Sequence, residues 1–250
     1  MGEIDRFIER EAQRLRRPPH RSFVAAFRSF FRYLYYSGKM DRDLSGFIEK
    51  PRRYKLRSLP PVLTWSEVHR ILRGVDRSTP SGLLRYAVLL LLTTYGLRAG
   101  EVARLKLEDI DWQREVLHIG QRKMGKDLWL PLVPQVGKAI YEYLRKGRPL
   151  STYREVFLLL RAPRRPLSGG SVSYVVRRTL QFAGLHPPRR GAHLLRHSVA
   201  TRLIRRGASL KEIGDVLGHR RLESTHLYTK TAIENLREVA LEVPELKEER

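Results

Sequence analysis

The sequence predicts a mainly α-helical protein with one small β-hairpin or sheet, in which a short helical unit precedes a larger one. Three observations predict it. Apolar residues recur three and four positions apart through most of the 250 residues, the spacing of amphipathic helices. Only two short runs read as strands, Val116 to Ile119 and Leu128 to Leu132, and a basic turn separates them. A proline-bounded stretch, Pro51 to Pro61, divides a first region, residues 1–50, from a second, residues 62–250.

In the first region, Phe23, Phe27, Phe30, Phe31 and Leu34 fall at helical spacing, with Arg21, Arg28 and Arg32 between them. The phenylalanines read as core and the arginines as candidates for phosphate contact. Gly38 ends the helix. Residues 51–61 read as a linker whose Arg52, Arg53, Lys55 and Arg57 suit an extended strap along a charged backbone.

The second region opens with Thr64 and Glu67, a capping box ahead of Val68, Ile71 and Leu72. Leu83 to Tyr95 is apolar enough to demand burial on most sides, and Gly96 ends it. The hairpin tip carries Lys-Met-Gly-Lys. Helices follow over Pro134 to Lys146, Ser171 to Ala183 and Ala192 to Arg206, the last with Leu195, Val199 and Leu203 on one face. Val156 to Leu160 is a short buried run. Ser209 and Glu212 cap a helix that ends at Gly218, and Thr231 and Glu234 cap a final one. From Thr231 onward six acids meet three bases, opposite in sign to the rest.

Composition narrows the function. Lysine and arginine number 49 against 26 acids, a net charge of +23, and such a field attracts polyanions. The basic residues run through the whole chain rather than one tail, which favours nucleic acid over an anionic membrane surface. Cysteine is absent, excluding a disulfide framework, a zinc ribbon and a thiol nucleophile. Met1 to Arg17 is too charged for a signal peptide, and the most apolar run, Tyr86 to Leu92, falls far short of the roughly 20 residues that span a bilayer. A soluble, cytoplasmic protein is the expectation.

Six residues stand out as a set: Arg98, Lys123, His193, Arg196, His219 and Tyr228. Arginines fork onto phosphate oxygens and neutralise them. His193 and Arg196, three apart on a helix, share a face and can approach one phosphate together; His197 points about 100° away and reads as structural. Arg98 follows the end of the apolar helix, a rigid mount for a phosphate clamp, although alone it reads equally as an ion pair with Glu101. A lysine in the hairpin tip can protonate a leaving oxygen if neighbouring cations lower its pKa, and spacing leaves Lys123 and Lys126 equivalent. Tyr228 lies nine residues beyond His219, enough for a turn and short helix to return the phenol to the imidazole. A phenol of pKa roughly 10 needs a base or a cationic pocket to attack phosphorus at neutral pH. No carboxylate cluster accompanies the histidines at ligand spacing, so neither metal nor cofactor is expected.

These residues carry a family resemblance. Thr94-Tyr-Gly-Leu-Arg98-Ala-Gly-Glu101, continued through Asp109-Ile-Asp111, resembles the first signature of tyrosine site-specific recombinases. His193-Leu-Leu-Arg196-His197, with Leu217-Gly-His219 and Leu227-Tyr228-Thr229, resembles the second, in the manner of the Xer and phage-integrase branch. The likeness covers most of Leu59 to Thr231. It implies an active site of Arg98, Lys123, His193, Arg196, His219 and Tyr228, with Lys123 selected because the hairpin pattern aligns at its first lysine. The implied reaction is attack by the tyrosine on a DNA phosphate, giving a 3′-phosphotyrosyl link and a free 5′-hydroxyl, then reversal by another strand without ATP.

The implied architecture is a catalytic domain (62–250) behind a helical core-binding domain (1–50) and a basic linker (51–61), closing as a clamp on double-stranded DNA. A homo-oligomer is implied, tetrameric at synapsis, with the acidic tail 231–250 docked on a neighbour and with no membrane or small-molecule partner. The first region is short for the family's clamp domain of four or more helices. A tyrosine-type transposase shares this chemistry, a type IB topoisomerase shares its phosphotyrosine logic, and a catalytically silent DNA-binding regulator or a structural nucleoprotein is the alternative of a different class.

Overall fold

The computed structural model describes Arg6, Arg10 and residues 21–48, 61–120 and 127–218. The chain divides into two compact units, Met1–Arg57 and Ser58–Arg250. The expected linker (51–60), the hairpin tip with Lys123 and Lys126, and everything from His219, including Tyr228 and the final helix, lie outside the described residues.

In the first unit, helix α1 (Arg21–Tyr36) is followed by a 3-10 turn, Leu44–Gly46, capped by the Asp43 side chain. Gly38, at φ 68, takes the left-handed conformation that ends α1, and Lys39 N donates to Leu34 O. Phe27 and Phe31 pack against buried Val24 and Ile48. Phe30 does not join them. It is 53% exposed, because it sits about 100° round the helix from Phe31 and so leaves the stripe that Val24 and Phe31 define. The Phe23 side chain is outside the described set.

The second unit is built around α3 (Pro80–Tyr95), almost wholly buried from Leu83 to Tyr95, as its continuous apolar run requires. Burying Leu89, Leu91 and Leu92 stabilises the fold by about 1.5–3 kcal/mol each. Helix α2 (Trp65–Arg73) begins with the expected capping box: Thr64 N donates to Glu67 Oε2 at 2.8 Å and Glu67 N to Thr64 Oγ1 at 3.3 Å. Thr79 caps α3, and Gly82 lies so close beneath Asp76 that a Cβ there would sit 1.6 Å from its carbonyl oxygen.

Helix α4 (Ala99–Arg104) and a 3-10 turn, Leu107–Asp109, lead into a three-stranded antiparallel sheet. Its strands are β1 (Ile110–Asp111), β2 (Val116–Ile119) and β3 (Leu128–Pro131), in register Ile110↔Leu117, His118↔Trp129 and Ile119↔Leu128. The strand pair was legible in the sequence. β1 was not, since two residues carry no periodicity.

Helix α5 (Pro134–Lys146) packs along α3, and Val156, Phe157 and Leu158 are fully buried beside Tyr143. Helix α6 (Gly169–Phe182) starts two residues before the expected Ser171, because Ser168 supplies the cap. Helix α7 (Ala192–Arg205) lies against α3, and α8 (Leu210–Leu217), with its Ser209–Glu212 capping box, ends at left-handed Gly218. Three bonds fix the ends of these elements around α3. Tyr95 Oη donates to Pro131 O at 2.7 Å and accepts from Val133 N, and Leu63 N donates to buried Ser198 Oγ at 2.7 Å.

Candidate active site

Where α3 ends, three helix termini meet. Gly96 adopts φ 63, and its N–H closes the helix on Leu92 O. A Cβ on Gly96 would stand 2.5 Å from Leu217 Cδ2 and 3.4 Å from Val199 Cγ1. Only glycine supplies both the left-handed turn and the space. The end of α3 is therefore seated directly on α7 and on the last residue of α8.

Arg98 follows, two residues on, at the start of α4. Its backbone N–H donates to Glu101 Oε2 at 2.7 Å, and its guanidinium reaches Glu101 Oε1 at 2.7 Å. Glu101 is buried, at 6% exposure, while one third of the Arg98 side chain is open. The ion pair with Glu101 is formed, and the same guanidinium also donates from Nη2 to Gly218 O at 3.1 Å.

Arg196 approaches the same point from α7. It is 4% exposed; Nη1 donates to Gly96 O at 2.7 Å and Nη2 to Leu217 O at 2.6 Å. Two arginines 98 positions apart in sequence thus hold consecutive carbonyls, Leu217 and Gly218, at the C-terminal end of α8. The residue that follows is His219. A helix C-terminus carries partial negative charge, so guanidinium groups are at home there.

His193 lies one turn before Arg196 and is exposed. His197, with its ring 6.5 Å from that of His193, is more enclosed. Burial, with the charges of His193, Arg196 and Arg189 adding to it, depresses its pKa from 6.5 to about 4. His197 is therefore neutral at neutral pH, which fits a structural part rather than a proton donor.

Beyond the sequence reading, His118 emerges on β2. Its Nδ1 lies 3.2 Å from Asp109 Oδ1 and its Nε2 3.0 Å from Asp127 Oδ2, the latter a charge contact set off the N–H axis. Burial pulls this imidazole down, but its contacts with Asp127 and Asp109 outweigh burial and raise its pKa above 6.5. It borders a cleft of about 410 Å³ that Glu101, Arg104, Lys106, Asp109 and Asp127 also line. The only sequence signal for it was a histidine on the outward phase of a strand. Among the described residues no group of three or more histidine, aspartate or glutamate side chains gathers to hold a metal, and no helix is long and apolar enough to cross a membrane.

Residues 61–235 match the family model described as the phage integrase family. The chain belongs to that family, the tyrosine recombinases. Among relatives of this integrase-family chain, y4rA of Sinorhizobium fredii (strain NBRC 101917 / NGR234) is 38% identical over 97% of this chain and 59% of its own length. In the same organism y4gC is 43% identical over 74% of this chain and 97% of its own length. Both carry "integrase/recombinase" in their names. Tyrosine recombinase XerD of Listeria innocua serovar 6a is 34% identical over 87% of this chain and 73% of its own length.

The integrase-family fold recurs in solved structures. XerA recombinase superposes with a TM-score of 0.62 at 21% identity, over 96% of this chain and 83% of that one. XerH site-specific recombinase bound to difH substrate gives 0.65 at 22% identity, over 88% and 65%. Identities this low speak to the fold, which is mainly helical with a small antiparallel sheet, as expected.

Proposed function

We propose that this integrase-family chain is a site-specific DNA recombinase or integrase that cuts and rejoins strands through a covalent 3′-phosphotyrosyl link, without ATP or metal. Tyr228 Oη attacks the scissile phosphorus, forming the P–O bond to tyrosine as the P–O5′ bond breaks. Arg98 and Arg196 hold the non-bridging oxygens, His193 assists the proton's departure from the phenol, and His219 supports the phosphate. Lys123 delivers a proton to the departing 5′ oxygen. A 5′-hydroxyl from a second strand then attacks the phosphotyrosyl and restores the phenol, so no bond energy is lost.

The observation that carries this reading is the convergence of Arg98 and Arg196 on the Leu217–Gly218 peptide, immediately before His219. An arginine pair, one at the start of α4 and one within α7, is an arrangement that stabilises charge building at phosphorus. By the same reading residues 1–50 and the linker 51–61 embrace duplex DNA, residues 62–250 are catalytic, and the tail 231–250 docks on a neighbouring copy in a tetrameric synapse. The protein acts in the cytoplasm, where such DNA lies.

The relatives support the DNA partner through their names: XerH was solved on a difH substrate, and lambda integrase as a tetramer bound to a Holliday junction. The decisive measurement uses duplexes selected by binding and nicked near the bound site, which trap a cleaved strand. We expect a denaturation-resistant protein–DNA adduct that disappears in Tyr228→Phe. An adduct of full yield in that variant would remove Tyr228 from the mechanism, and binding with no adduct in the native chain would favour the silent regulator.

A further inference from the structure

The outward face of the sheet carries an arrangement that the strand-cleavage chemistry above does not use. His118 and Trp129 are cross-strand partners on β2 and β3, with rings 4.4 Å apart and inclined by 31°. On one side of the imidazole stands Asp109, the last residue of the 3-10 turn before β1, whose other carboxylate oxygen accepts from Lys106 N at 2.8 Å. On the other stands Asp127, the residue that enters β3.

One ring therefore ties three places: the turn ahead of the sheet, the middle of β2, and the root of β3. In sequence, residues 121–126 lie between β2 and Asp127, so the contact between His118 and Asp127 joins the described residues on the two sides of that segment. The other charged groups around the cleft are Glu101, Arg104, Lys106 and Glu155. A β-branched residue would suit a strand at this position better than histidine, so its place between two carboxylates calls for a reason beyond β-propensity.

We propose that His118 is a positioning residue for strand cleavage: held between Asp109 and Asp127, it ties β2 to the start of β3, on either side of the segment that carries Lys123. The assignment rests on the proposed role of Lys123 as the donor to the 5′ oxygen. A proton donor must stand within hydrogen-bond reach of the atom it serves, and a misplacement of the order of 1 Å costs up to roughly 100-fold in rate. Tyr95 already pins the far end of β3 to α3 through Pro131 O; the clamp at His118 secures the near end. The raised pKa of His118 keeps the ring charged to higher pH than a free imidazole and so maintains both contacts.

The test is single-turnover cleavage of a trapping duplex by the full chain, compared with the same duplex carrying sulfur in place of the bridging 5′ oxygen. A thiolate departs without a proton, so this substrate bypasses the lysine. For His118→Gln we expect about tenfold slower cleavage of ordinary DNA, duplex affinity unchanged within about twofold, and native-like rates on the sulfur-bridged DNA.

Asp127→Asn alters a more exposed side chain and so puts the fold at less risk; it should show the same pattern, with no further loss in the double variant. An equal loss on both substrates, a parallel loss of binding, or a His118→Gln rate equal to that of the native chain would overturn the proposal. Absence of any Tyr228 adduct in the native chain would overturn the parent chemistry instead, and this proposal with it.

Discussion

The arginine cluster at the end of α3 and the histidine clamp on the sheet are built from opposite ratios of charge. At the first, the Arg98 guanidinium pairs with one carboxylate, Glu101, and the guanidiniums of Arg98 and Arg196 donate to the carbonyls of Gly96, Leu217 and Gly218. Carbonyls satisfy N–H groups without neutralising them, so the cluster stays net positive. At the second, one imidazole stands between two carboxylates, and the sum is net negative whether or not the ring carries its proton. A phosphate is drawn to one and repelled by the other. Charge thus suits the first to meet an anion and the second to join two strands, although each sets a cationic side chain among fixed oxygens.

The sharpest way to break this distinction is to remove Arg196. Its loss strips the charge from the positive cluster and leaves two inward-facing carbonyls without their donor. We expect Arg196→Ala to slow strand cleavage by about 10²–10³ while duplex binding falls less than about tenfold, because the interaction strengthens as charge develops at phosphorus. The variant should also lose about 2–4 kcal/mol of stability in urea unfolding, from two buried acceptors left unsatisfied. Arg196→Lys keeps the charge but loses the fork, and should recover binding more fully than rate. Equal losses in cleavage and binding would make Arg196 an anchor for DNA and nothing more.

Next in size is the seat itself. Gly96→Ala forces a side chain into a left-handed turn and onto Leu217, at a cost of about 2–4 kcal/mol in the two effects together. Pairing it with Leu217→Ala removes the clash, so the double variant should be more stable than the sum of the single losses by about 1 kcal/mol. Thermal unfolding of the four proteins measures this. A Gly96→Ala chain as stable as the native one would mean that the three helix ends are not held together as described.

Much of this was legible before the structure. The Thr64–Glu67 and Ser209–Glu212 boxes form the bonds their spacing announces, because capping is settled within four residues. The buried helix and the strand pair follow from local periodicity for the same reason. The helix that carries both His193 and Arg196 was legible in the same way.

What sequence could not show was decided by tertiary contact. Arg196 bonds to Gly96, 100 positions away, and no local pattern reports where its guanidinium ends. The clamp at His118 takes one carboxylate from nine residues before it and another from nine residues after, and only the folded strand pair brings them to the same ring. Phe30 was read as core because spacing identifies a stripe but not its width.

The smallest effect sharpens the comparison from the side of the histidines. His118 and His197 have ordinary values of 6.5 moved in opposite directions: His118 is raised by two carboxylates, and His197 is lowered to about 4 by burial and by neighbouring cations. For His197 the sign follows from linkage. Its folded-state pKa is below the unfolded one, so between pH 6.5 and about 4 the unfolded chain binds the extra proton, and stability falls as pH drops through that window.

Each pH unit within the window costs about 1.4 kcal/mol at most, so the difference at pH 5.5 is on the order of 1 kcal/mol. Carboxylates titrate over the same range, and the difference between the native chain and His197→Asn isolates the one group. Urea midpoints of the two proteins should diverge between pH 7 and 5, the native chain losing more. Parallel curves would mean that His197 is charged in the folded protein. The positive cluster would then hold a third cation beside the two arginines, and the neutral, structural part given to His197 would have to be withdrawn.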